Sequence, residues 1–121
     1  MNNSDYKSAG VDIDAGNEAV DRIKDGVKST FTTNVLTGLG SFGSLYDLKP
    51  LLENYENPVL VQSIDGVGTK TIISRKLGKF DTIGIDLLSA CANDILVMGA
   101  QPLTFLDYIA NDKLNPDIIE E

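Results

Sequence analysis

Nothing in this chain constrains its fold more than the stretch Ser63 to Lys70, Ser-Ile-Asp-Gly-Val-Gly-Thr-Lys. The apolar run Val59-Leu60-Val61 leads into it and reads as a strand. Asp65, Gly66, Gly68, Thr69 and Lys70 then follow in a short span. Glycines let backbone N–H groups crowd around an anion, because no Cβ blocks the approach. A lysine supplies a point charge for phosphate, and an aspartate suits a hard cation such as Mg²⁺. Cation site, amide cradle and lysine together point to a Mg²⁺–nucleotide. The spacing satisfies neither G-x-x-x-x-G-K-[ST] nor G-x-G-x-x-G, since Lys70 follows Thr69 and Thr71 stands where the last glycine would fall. On the residues alone, a plain glycine turn with Asp65 as a turn residue competes with the nucleotide reading.

The chain has 121 residues, so a single domain over 1–121 is expected. Hydrophobic residues make up 42%, enough for a core. A chain this short buries only about two-thirds of its surface on folding, which favours help from a partner chain. The net charge is −8, with 10 basic against 18 acidic residues, which argues against a nucleic-acid-binding face. An anionic nucleotide must then arrive with its metal or meet local positive groups. No stretch approaches the roughly 18 apolar residues of a membrane span, and no signal peptide is visible. The single cysteine, Cys91, fits a reducing cytoplasm. There is no histidine, which removes the commonest general base and transition-metal ligand. Chemistry here is left to carboxylates, lysines, backbone amides and a bound cation.

Along the chain, Met1 to Ser4 is expected to be disordered. Asp14 can cap a helix to about Ser29, with Ala19, Ile23 and Val27 as an apolar stripe thickened by Val20, and with Glu18 and Arg22 paired at i,i+4. Capping is equally a role for Asp12. Thr30 to Gly43 is loop, and Gly38, Gly40 and Gly43 make either an anion-accommodating turn or a mobile connection. Phe42 to Leu48 reads as a strand and Lys49 to Tyr55 as a short helix or turn, with Pro58 opening the next strand. Thr69 to Leu77 favours helix, broken by Gly78. Asp81 then caps the most apolar helix, Ile83 to Met98, which should be largely buried. Asp86, Asn93 and Asp94 interrupt it; 86 and 93 share a face, and 94 lies about 100° further round. A carboxylate inside a core wants a metal, a donor or water, which favours a function for Asp94, while a solvated face is the plain alternative. Leu103 to Ile109 alternates as a strand, placing Asp107 on an apolar face. A helix should begin at Asn115-Pro116, and the α/β alternation is then interrupted rather than finished.

These residues carry a resemblance. Ala9-Gly10-Val11-Asp12-Ile13-Asp14-Ala15-Gly16, Gly38-Leu39-Gly40-Ser41-Phe42-Gly43, Asp65-Gly66-Val67-Gly68-Thr69-Lys70, Thr82-Ile83-Gly84-Ile85-Asp86-Leu87 and Phe105-Leu106-Asp107-Tyr108 stand in order. Asp94 is followed after four residues by Gly99-Ala100-Gln101-Pro102. With these motifs the chain resembles the N-terminal part of the aminoimidazole ribonucleotide synthetase (phosphoribosylformylglycinamidine cyclo-ligase) family. Phe80 stands where that family usually has His, and Thr32-Thr33 where it often has Arg-Pro.

The resemblance implies an α/β (α+β) fold, a small mixed sheet with helices on one face. It also implies a homodimer in which strands of two subunits form a shared β-barrel. It implies a cytoplasmic ligase of purine biosynthesis, closing formylglycinamidine ribonucleotide to aminoimidazole ribonucleotide with ATP and Mg²⁺. Asp65 and Asp94 would be metal ligands and, with Lys70, the catalytic set. Gly66, Val67, Gly68, Thr69 and Lys70 would surround phosphate, with Asn93 in support. The resemblance stops before the family's Gly-Gly-Glu-Thr segment and C-terminal domain, so a portion inactive alone is expected. Two other readings stay open: a small-metabolite kinase of the same superfamily, and a non-catalytic dimerisation module.

Overall fold

The computed structural model describes residues 6–121, so the expected disorder of Met1 to Ser4 lies outside the described residues. Two compact units make up the chain. One runs up to Pro58 and takes in Ala110–Glu120; the other holds Val59–Ile109 and Glu121.

The first unit is built on α1, Ile13–Ser29. Its N-cap is Asp12, whose carboxylate accepts from the Ala15 N–H at 3.2 Å, so the capping assigned to Asp14 falls two residues earlier. Asp14 instead lies in the first turn, where its charge suits the helix dipole. Lys7 pairs with Asp12 at 2.9 Å. The Lys7 hydrogen bond, then the Ala15 amide, hold the Asp12 carboxyl below its usual 3.8. Ala19 is buried on the expected stripe and Ile23 and Val27 are half-buried, while Val20 faces outward.

On the same helix, Arg22 pairs with Glu18 as its spacing predicts, and also with Asp117 at 2.6 Å and Glu120 at 3.2 Å. The last two belong to α5, Pro116–Glu120, which begins where Asn115-Pro116 predicts. The hydrogen bonds it donates to Asp117 first, then Glu18, hold the guanidinium still more firmly protonated than usual. Gly10 closes this corner: its φ is +95°, and a Cβ there would stand 3.1 Å from the Asp112 carbonyl oxygen.

Between α1 and α2 (Lys49–Leu52) the glycine-rich stretch is tied at its base. Val35 and Tyr46 form an antiparallel bridge. The Leu36 N–H donates to the Leu45 carbonyl and the Asp47 N–H to the Asn34 carbonyl, both at 2.8 Å. Leu45 N–H also donates to Thr37 Oγ1 at 2.9 Å. Gly38, Gly40 and Gly43 thus sit at the tip of a short hairpin. Only the 45–47 end of the strand expected over Phe42 to Leu48 takes part in pairing, and Phe42 is fully exposed.

The second unit packs α3, Lys70–Leu77, against α4, Ile83–Leu96. α3 stops at Gly78, as expected. α4 begins without a side-chain cap: Thr82 is the flanking residue, and Asp81 pairs with Lys79 at 3.5 Å instead of capping. The expected burial of α4 is not met. Cys91 is its one buried residue among those described, and Ile85 is 65% exposed.

No strand forms among the described residues. Residues 59–67 and 101–111, the two apolar stretches that read as strands, take part in no backbone–backbone hydrogen bond among them. The alternation is present, but a strand needs a neighbour to receive its N–H and C=O groups, and neither stretch has one among the described residues.

Candidate functional site

The loop from Ser63 to Lys70 is laced to the second half of α4 at two points. Ser63 Oγ donates to Asp94 Oδ2 at 2.9 Å. One helical turn earlier, Cys91 Sγ lies 4.0 Å from the Asp65 carbonyl oxygen. Residues 63–65 therefore run alongside positions 91–94. Asp65 and Asp94 thus belong to two segments that touch at these points.

Beyond Asp65 the backbone turns. Asp65 Oδ1 accepts from the Gly66 N–H at 2.7 Å, and no atom lies where a Cβ on Gly66 or Gly68 would sit. Gly68 has φ +70°, a conformation that side-chain-bearing residues rarely adopt, so glycine is required there. Thr69 flanks α3 with its hydroxyl uncommitted to capping, and Val67 is half-buried beneath the turn. Two glycines and a threonine thus leave an open, exposed stretch of backbone.

Lys70, the first residue of α3, does not stand free. Its ammonium lies 2.8 Å from Asp86 Oδ1 on the first turn of α4. The two residues flank an open cleft of about 230 Å³ between the helices, shared with Ser74, Lys79 and Thr82. Asn93 is exposed beside Asp94. Among the described residues no group of three or more acidic, cysteine or histidine side chains is arranged to hold a metal by itself.

Ser63 and Asp86 were not singled out by the sequence as partners of Asp94 and Lys70. The contact between Ser63 and Asp94 spans 31 positions, and no local periodicity signals it. In the first unit, Lys24 and Lys28 of α1 face Phe31 and the glycine hairpin across an open cleft of about 320 Å³.

The class of protein that carries this glycine turn is given by sequence comparison. Residues 49–121 match the family described as AIR synthase related protein, N-terminal domain, and the chain belongs to that family. It is similar to the phosphoribosylformylglycinamidine cyclo-ligase of Brevibacillus brevis, at 56% identity over 95% of this chain and 33% of that protein. The protein of that name from Carboxydothermus hydrogenoformans is 55% identical over 96% of this chain and 33% of its own length. That of Xanthomonas oryzae pv. oryzae is 56% identical over 93% of this chain and 32% of its own. The chain spans about a third of the length of the curated relatives it matches.

Proposed function

We propose that this chain is the MgATP-binding portion of a phosphoribosylformylglycinamidine cyclo-ligase, an enzyme of purine biosynthesis. In that reaction the formyl oxygen of the substrate attacks the γ-phosphorus of ATP and ADP leaves. An amidine nitrogen then attacks the activated carbon, phosphate departs, and the imidazole ring closes. The enzyme's task is mainly orientation and charge stabilisation, and this portion needs no histidine for its share of it.

The observation that supports the nucleotide assignment best is the lacing of residues 63–65 to α4, which runs the segment carrying Asp65 along the helix that carries Asp94. Two carboxylates without a third suit Mg²⁺, which is typically shared between one or two protein carboxylates, water and substrate phosphates. Asp65 and Asp94 would hold the ion, which spreads the phosphate charge when bound. Gly66, Val67, Gly68 and Thr69 would offer backbone to the phosphates, Lys70 would pair with them, and Asn93 would steady the site.

The exposed stretches around 59–64 and 103–109 support a second part of the proposal. Ile64 is 97% and Tyr108 90% exposed, and the peptide groups of both stretches are unpaired among the described residues. In a homodimer these stretches pair with those of a second copy to close a shared β-barrel, in the cytoplasm. No helix of the described residues is long and apolar enough to cross a membrane.

Calorimetric titration with MgATP tests the site. The chain is expected to release heat on binding and Asp94→Ala to lose it. Absent heats in both would leave an inert interaction module as the better reading.

A further inference from the structure

We propose that Ser63 is a positioning residue, whose hydroxyl fixes the Asp94 carboxylate so that its second oxygen is presented to the divalent cation. This rests on the reading of Asp94 as a ligand of MgATP. Ser63 Oγ donates to Asp94 Oδ2 at 2.9 Å, and the other carboxylate oxygen has no partner among the described residues. Asp94 itself is exposed on α4. Carboxylates that bind metals are commonly held by a hydrogen bond from a neighbour, and that bond selects which oxygen faces the ion.

Ser63 is suited to this because its own position is fixed. It is half-buried, and two residues on the Asp65 carbonyl rests against buried Cys91. The segment that carries Asp65 therefore also orients Asp94. One hydroxyl couples the two carboxylates without itself touching the ion.

The test is Mn²⁺ binding in the presence of ATP, followed by electron paramagnetic resonance on the full chain, with melting curves recorded without metal. Loss of a group that orients a metal ligand costs roughly 10-fold or more in metal affinity. Ser63→Ala is expected to weaken Mn²⁺ binding by about 10-fold while melting as the wild type does. Ser63→Thr, which restores the hydroxyl, is expected to recover most of the affinity. Wild-type affinity in Ser63→Ala, beside loss in Asp94→Ala, would overturn the role of Ser63 and leave the metal site standing. A lower metal-free melting temperature in Ser63→Ala with no rescue by Thr would reduce the contact to a staple between the loop and α4. Undiminished binding in Asp94→Ala, or none in the wild type, would overturn the MgATP reading and the role of Ser63 with it.

Discussion

Lys70 holds its ammonium 2.8 Å from Asp86 at the cleft between α3 and α4. An ion pair as exposed as this contributes about 0–1 kcal/mol. A triphosphate presents several negative charges to a point-charge ammonium, so it competes well for it. On the proposed MgATP reading, Asp86 would be the partner that Lys70 leaves when nucleotide binds. Lys70→Gln is expected to weaken MgATP binding by about 10-fold, the scale of one charge-assisted contact of about 1.5 kcal/mol. Asp86→Asn should bind as tightly as the wild type or more tightly, because it releases the lysine. Calorimetry on the two variants decides, and equal weakening in both would mark the pair as purely structural.

At the scale of the elements, α1 is the best-specified piece of the chain, and its start depends on charge. Contacts in the folded state hold Asp12 below its usual 3.8, with Lys7 the larger contributor and the Ala15 amide next. The folded chain therefore binds this proton less readily than the unfolded one. The stabilisation is fully present above that ordinary value and is lost as pH falls through the lower, folded-state value. Asp12→Ala should lower the melting temperature by a few degrees near neutral pH. The gap to the wild type should narrow in melts recorded below pH 3.8. A gap that stays constant across that range would show that the cap acts through packing instead. α4 follows a different logic. Its apolar residues recur all round, yet Cys91 alone of its described residues is buried, and α3 is the one helix among the described residues that packs against it.

At the scale of the whole molecule the apolar surface is unspent. Phe42, Ile64, Val59 and Tyr108 are all more than four-fifths exposed, and two stretches present unpaired peptide groups. Surfaces of that kind pair with other strands. Light scattering coupled to size exclusion is expected to give twice the chain mass, with Ile64→Lys shifting the protein to monomer. A monomeric wild type would remove the shared barrel from the proposal. The sequence showed the material for this surface through the alternation of Leu103 to Ile109, but an alternating run does not say whether its partner lies in the same chain.

The helices, their order and the glycine turn after Val61 followed from the residues themselves, because capping, i,i+4 spacing and positive φ are local properties. So did Glu18–Arg22, Gly78 and the helix at Pro116. The choice of Asp12 over Asp14 as cap was already beyond reach, since both residues satisfy the same local rule and the contact with Lys7 accompanies only one of them. Tertiary structure alone decided that Arg22 gathers Asp117 and Glu120, that Lys70 rests on Asp86, and that Ser63 meets Asp94. Those contacts join residues far apart along the chain, and chain periodicity carries no information about which distant side chain will arrive. It fixes what each residue offers, and only the folded backbone fixes what receives it.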